Sequence, residues 1–241
     1  MKVLDLFSGI GGFSLGLERA GMNTVAFCEI DKFCRKVLAH HWPSIPIYED
    51  IKLLTVQRLN DDGINIDVIC GGFPCQDIST AGKGEGLRGE RSGLWREYAR
   101  LIGEIRPRYV IVENVAALLF RGLSDVLGDL ASLGYDAEWH CIPASYIGAP
   151  HRRDRVWIVA YPNNKSQPIS TVNDEAFRLQ KIGATSKWSE WSGKSEDVRM
   201  DDGLSNGMDR LKSLGNAVVP QIPEILGKAI ISHALRHAPR P

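Results

Sequence analysis

The chain has 241 residues, 44% of them hydrophobic and 24% charged, and its 29 basic residues balance its 29 acidic ones. That is enough apolar material for a sizeable buried core in one large domain or two small ones, and zero net charge excludes only nucleic-acid binding driven by bulk charge. No run of 18 apolar residues marks a membrane span, and Met1-Lys2-Val3-Leu4-Asp5 lacks the layout of a secretion signal, so a cytoplasmic protein is expected.

Up to about residue 160, short β-branched apolar runs alternate with longer amphipathic stretches, the pattern of an α/β protein with a largely parallel sheet. Strands are predicted at Lys2–Phe7, Thr24–Cys28, Ile45–Tyr48, Asp67–Gly71, Tyr109–Glu113, Ala137–Pro143 and Arg155–Ala160, with helices at Gly12–Ala20, Lys32–His41, Gly93–Ile105 and Ser124–Leu133. The third helix has Ser92 as its N-cap candidate, and Leu94, Tyr98, Leu101, Ile102 and Ile105 form an apolar face for the sheet. From Pro162 to Asp209 the periodicity fades into Asn, Ser, Lys, Gly and Trp, and it resumes as an apolar helix over Ile222–Leu235. The five cysteines, Cys28, Cys34, Cys70, Cys75 and Cys141, are odd in number and show no zinc-site pattern; free thiols in a reducing compartment are expected, with no metal.

Asp5-Leu6-Phe7-Ser8-Gly9-Ile10-Gly11-Gly12 follows a strand and opens a helix, where glycines let the backbone approach a ligand. Glu29 ends the second strand, where doubly wound folds hold a ribose, and Asp50 follows the third, within reach of an adenine amino group. These three elements indicate an adenosine-type cofactor. The spacing does not separate a dinucleotide from S-adenosylmethionine.

Gly72-Phe73-Pro74-Cys75-Gln76 sits where the fourth strand ends, and Cys75 lies in a Pro-bounded loop rather than inside an element. A thiol with its ordinary pKa is only a few per cent thiolate at neutral pH, so a nucleophile here needs a positive or hydrogen-bonding neighbour. Arg153 and Arg155, in His151-Arg152-Arg153-Asp154-Arg155, are the candidates, although such a run read alone is a solvated basic turn. Glu113-Asn114-Val115 closes the strand after Tyr109, and a Glu ending Val110-Ile111-Val112 is costly to bury without a purpose.

In this order and spacing, Asp5 to Gly12, Glu29, Asp50, Pro74-Cys75-Gln76, Glu113-Asn114-Val115, His151 to Arg155 and Gly215 to Val219 resemble the motif set of the DNA cytosine-C5 methyltransferases. The resemblance spans nearly the whole chain apart from Pro162 to Asp209, and the compact length is similar to phage- or prophage-borne members. It implies a Rossmann-like S-adenosylmethionine-dependent methyltransferase sheet with helices on both faces. Residues 1–161 would form the catalytic and cofactor-binding domain, 162–209 a reduced target-recognition region, and 210–241 a segment returning to the catalytic domain beside the first strand.

Residue by residue, the resemblance puts Phe7, Gly9 and Gly11 around S-adenosylmethionine, Glu29 on its ribose, Ile30 against the adenine, Asp50 on the adenine amino group and Asn216 back at this pocket. Cys75 would be the nucleophile toward cytosine C6, Glu113 the holder of N3 and the exocyclic amine, and Arg155, with Arg153, the support of the base and thiolate. Pro74, Gln76 and Asn114 would contact the substrate. Double-stranded DNA with a flipped-out cytosine is the implied partner, and a restriction endonuclease in the same cell is a further one. Residues 76–92 would form a loop closing over the flipped base, and residues 82–108 carry seven basic against four acidic side chains, a modest phosphate-facing surplus.

The chain departs from the family's pattern in places. The region from 162 to 209 is short, and from 163 to 209 eight acidic residues outnumber six basic ones, so recognition of a short or relaxed DNA sequence is expected. Trp188 and Trp191 there suit either a small core stripe or stacking on a base. His151 stands where Gln is more usual and Ala217 where Ser is common. The rival readings are an RNA (tRNA) cytosine-C5 methyltransferase and a catalytically silent DNA-binding or split-enzyme component.

Overall fold

The structure, a computed structural model, describes residues 1–74, 93–149, 153–163 and 217–236. Thus Cys75, Gln76, the loop 76–92 with Ser92, His151, Arg152, Asn216, Trp188, Trp191 and nearly all of the region 162–209 lie outside the described residues.

The chain builds β1 (Lys2–Leu6), α1 (Gly12–Arg19), β2 (Asn23–Cys28), α2 (Lys32–His41), β3 (Ile47–Tyr48), α3 (Val56–Asp61), β4 (Val68–Gly72) and α4 (Gly93–Ile105). It continues with β5 (Tyr109–Val115), α5 (Leu118–Arg121), α6 (Leu123–Ser132), β6 (Tyr135–Pro143), a 3-10 turn (Ala144–Ile147), β7 (Asp154–Pro162) and α7 (Gln221–Arg236). The seven strands form one sheet in the order β3-β2-β1-β4-β5-β7-β6. The first five in that order run parallel, and β7 runs antiparallel to both its neighbours. The reversal of β7 brings its first residues to the rim where β1, β2, β4 and β5 end. This is the expected Rossmann-like α/β fold, less uniformly parallel than the alternation suggested.

Successive strand residues point to opposite faces, and both faces of these strands are apolar, as parallel strands sandwiched by helices require. Leu4, Leu6, Ile69, Val110, Val112 and Ile158 pack against Leu59 of α3, the Trp95-Tyr98-Leu101-Ile102 face of α4, and Val126 and Leu130 of α6. Val3, Val68, Ile111 and Val159 pack on the other face against Phe13 and Leu17 of α1 and Ile222, Leu226 and Ile230 of α7. Each of these buried side chains contributes roughly 1.5–3 kcal/mol relative to exposure. The returning helix is seated chiefly on α1, where a Cβ on Gly16 would stand 2.1 Å from the Pro220 carbonyl oxygen. Any side chain at Gly16 would push the two elements apart.

Three elements escaped the sequence reading. The helix α3 has a Thr55 side chain that accepts from the Arg58 amide at 3.2 Å, but it buries only Leu59 and is too short to show a period. The four-residue α5 and the 3-10 turn are shorter still. The strand β6 starts at Tyr135 rather than Ala137, because β7 offers it partners along its whole length.

One buried polar group stands out on the α1 face. Asp5 is fully buried; its Oδ2 accepts from Ser14 Oγ at 2.7 Å, while Oδ1 has no hydrogen-bond partner among the described residues. Burial pushes this carboxyl up to about 8, from 3.8. Between pH ~4 and ~8 the native chain therefore holds a proton that the unfolded chain has lost, and stability falls as pH rises through that window. Thermal denaturation across it should show that decline, on the order of a few kcal/mol at pH 8. Asp5→Asn should flatten it; an equal slope in the variant would exclude Asp5 as the cause.

Candidate active site

The strand ends converge on one rim. Gly72, the last residue of β4, is in register with Glu113 of β5, which is in register with Trp157 of β7, and Val115 is in register with Arg155. Arg155 and Glu113 thus lie diagonally across one strand pair on one face, within reach of each other. The Arg155 Nε stands 2.9 Å from Glu113 Oε1, with the two side chains 22% and 12% exposed. A second Arg155 nitrogen, Nη1, donates to the Asp154 carbonyl at 2.9 Å.

The other carboxylate oxygen of Glu113 lies over Gly72, where a Cβ would stand 2.6 Å from it. Burial raises the Glu113 carboxyl above its usual value, and the nearby Arg155 and Arg153 charges offset this only in part. Arg153, held at φ 37°, is pulled down in turn by burial and the neighbouring Arg155 charge, against the attraction of Glu113. Of the catalytic residues predicted from sequence, Glu113, Arg153 and Arg155 are brought together here; Cys75 lies outside the described residues, directly after Pro74.

Asn114 faces the other way. Its side chain is buried, with Nδ2 donating to the Phe73 carbonyl at 3.0 Å and Oδ1 accepting from the Val115 amide at 2.9 Å. Both ends of the amide are engaged by backbone, so it ties β5 to the segment Phe73-Pro74 instead of facing the Glu113 side of the sheet. No pattern in the sequence signals that bond, because the two residues are 41 positions apart.

The second half of the rim is the glycine turn. Phe7, Gly9 and Gly11 have φ of 52°, 54° and 88°, a chain bent away from strand geometry, and the Ser8, Gly9 and Gly11 amides donate to the Cys28 carbonyl, Glu29 Oε2 and the Ser8 carbonyl. Glu29 is 8% exposed; its Oε2 accepts from the Gly9 amide at 2.7 Å and its Oε1 from the Asp31 amide at 2.8 Å. Ile30 beside it is 71% exposed, a large apolar side chain held in solvent. Half-buried Asp50 follows β3, and its Oδ1 accepts from the Lys52 amide at 2.9 Å. A Cβ at Gly9 would meet nothing within 4 Å, and Val218, two residues after Asn216, has its carbonyl over Gly12. An open glycine bend, a carboxylate, an exposed apolar side chain and a second carboxylate suit an adenosine-type group: room for close approach to the backbone, a ribose acceptor, an adenine face and an amino-group acceptor.

Residues 1–207 match the family model described as C-5 cytosine-specific DNA methylase. The chain belongs to this family. Among its relatives, a type II methyltransferase of Bacillus subtilis, M2.BsuMI, is 38% identical over 168 residues, which cover 66% of this chain and 42% of that protein. The type II methyltransferase M.NgoFVII of Neisseria gonorrhoeae is 28% identical over 254 residues, covering 99% of this chain and 67% of the relative. A crystal structure described as a DNA modification methyltransferase encoded within an Escherichia coli prophage superposes with a TM-score of 0.59 at 30% identity, over 68% of this chain and 47% of that one. The chain spans about two fifths of the length of the first two curated relatives. As a C-5 cytosine-specific DNA methylase family member, it keeps the family's sheet and presents the Glu113–Arg155 pair and the glycine turn on one rim. Among the described residues, no group of three His, Cys, Asp or Glu side chains is placed to hold a metal ion, and no helix is long and apolar enough to cross a membrane.

Proposed function

We propose that the chain transfers a methyl group from S-adenosylmethionine to C5 of cytosine in double-stranded DNA, through a covalent bond between Cys75 and C6. The observation that carries this is the largely buried Glu113 carboxyl, raised by that burial and held at 2.9 Å by Arg155, opposite the Gly72-Phe73-Pro74 segment that leads to Cys75.

Cytosine C5 is a poor nucleophile until C6 is attacked. The Cys75 thiolate adds to C6 while Glu113 gives its proton to N3, which turns C5 into an enamine carbon. A carboxyl raised by burial retains that proton at a pH where an ordinary glutamate has lost it. Arg155 keeps Glu113 oriented and, with Arg153, supplies positive charge that favours the Cys75 thiolate over the thiol. Bound S-adenosylmethionine supplies the electrophilic sulfonium methyl that C5 takes. Loss of the C5 proton to a base then re-forms the C5–C6 double bond and expels the Cys75 thiolate, while the proton on N3 returns to Glu113. On the cofactor side, Glu29 is set to accept from ribose hydroxyls, Ile30 to cover the adenine, and Asp50 to accept from its amino group. Attack on one face of C6 requires the cytosine to leave the base stack, at a cost of a few kcal/mol.

The test uses the full chain with labelled S-adenosylmethionine and, separately, duplex DNA, tRNA and duplex DNA carrying 5-fluorocytosine. Label in duplex DNA and a denaturant-resistant adduct on the fluorinated duplex are expected, since fluorine at C5 cannot leave as a proton. Label in tRNA alone would move the substrate to RNA, and no label with either nucleic acid would overturn the catalytic reading. A further family-level expectation is a restriction endonuclease partner; bisulfite sequencing of methylated DNA would give the recognition sequence that such a partner shares.

A further inference from the structure

We infer that Arg35 is a positioning residue for the adenosine half of the cofactor, locking the end of β2 that carries Glu29 and Ile30 to the end of β3 that precedes Asp50. This rests on the S-adenosylmethionine reading above. Arg35 stands in the first turn of α2, with its amide bonded to the Asp31 carbonyl at 3.0 Å. Its Nη1 donates to the carbonyls of both Glu29, at 3.1 Å, and Ile30, at 2.6 Å. Its Nη2 stands 3.2 Å from Glu49 Oε1.

Among the described residues, the sheet itself pairs these two strand ends only briefly. The strand β2 stops at Cys28, so the Glu29 and Ile30 carbonyls lie beyond it, and β3 is an edge strand paired through only Phe27↔Ile47 and Cys28↔Tyr48. Beyond those pairs, the Glu29 amide donates to the Tyr48 carbonyl at 2.9 Å, and Arg35 adds the next tie outward. The Arg35 side chain is 16% exposed although its partner Glu49 is 74% exposed, so the arginine is packed against the backbone it holds and not extended into solvent. What it holds is a rim where Ile30 stands 71% in solvent and Glu29 accepts from the Gly9 amide.

The helix itself does not depend on this side chain. Asp31 caps α2 by accepting from the Phe33 and Cys34 amides, and Cys34 and Leu38 bury its inner face. Loss of Arg35 therefore loosens the rim and leaves the helix in place. Lysine is a poor replacement, because a single ammonium cannot reproduce a planar fork that serves two carbonyls and a carboxylate at once.

In Arg35→Ala the dissociation constant for S-adenosylhomocysteine, measured by isothermal titration calorimetry, should rise about tenfold or more, as expected for losing hydrogen bonds from a charged donor. The KM for S-adenosylmethionine should rise by a similar factor, with kcat at saturation within about twofold of wild type. Arg35→Lys should recover part of the loss, and Glu49→Gln should show a smaller rise. An unchanged dissociation constant in Arg35→Ala, or a fall in kcat with KM unchanged, overturns the inference. If Arg35→Ala does not fold, wild-type affinity in both Arg35→Lys and Glu49→Gln overturns it equally. Failure of the wild type to bind S-adenosylhomocysteine would instead overturn the cofactor reading.

Discussion

Glu113→Gln should lower kcat for methyl transfer by about 10²- to 10⁴-fold, the range for loss of a positioned general acid, while S-adenosylhomocysteine binding stays at the wild-type value. The amide keeps the length of the side chain and can accept from Arg155 Nε at the place of Oε1, now 2.9 Å away. What it lacks is an acidic proton for cytosine N3. The pH profile carries the same information. Burial raises the folded-state pKa of Glu113, so its protonated, donating form is present below that value and is lost as pH climbs through it. The wild-type rate should show a descending limb on the alkaline side of that titration, and Glu113→Gln should lack it. Single-turnover rates at several pH values check both; a variant within tenfold of wild type at every pH would remove Glu113 from the chemistry.

Gly72→Ala should lower kcat by about 10²-fold, the loss typical of displacing a catalytic group by about 1 Å, with little change in melting temperature. The new Cβ would stand 2.6 Å from Glu113 Oε2, closer than any real contact. The carboxylate is the far end of a flexible side chain, so it moves and the strand does not. Moving it pulls Oε1 away from the Arg155 Nε and swings the proton away from N3. Because the alanine acts through Glu113, the effects should not add: the double variant Gly72→Ala/Glu113→Gln should be no slower than Glu113→Gln alone. Full additivity of the two losses would mean that Gly72 matters for some other reason.

Most of the scaffold was legible because local patterns dictate it. Alternating apolar runs gave the strands, and the Leu94-Tyr98-Leu101-Ile102 spacing gave α4, whose buried face includes Tyr98, Leu101 and Ile102. Short elements were not legible: α3, with one buried side chain, acquires its place by adding Leu59 to the core on the α4 face of the sheet and not from its own period. The direction of β7 was not legible either, because an apolar run reads the same for either strand direction. Within the site, the residue types at the strand ends were readable, but their partners were not. Asn114 reads as one member of a motif, and only in the structure does its amide prove to be spent on the Phe73 carbonyl and the Val115 amide. Arg35 carried no signal, since a side chain reaching back to carbonyls five and six residues earlier obeys no helical spacing.

The sequence by itself determined the alternation of strands and helices, the glycine turn after the first strand and the ordered set of strand-end residues that places the chain with the cytosine-C5 methylases. All of these are written in local spacing or in motif order. Only the tertiary structure decided that β7 runs against its neighbours, so that Arg155 arrives beside Glu113, that Gly72 leaves room for the carboxylate, and that Arg35 ties the two adenosine-side strand ends together. Those outcomes depend on contacts between segments up to 50 residues apart, and register is set by burying both faces of the sheet at once.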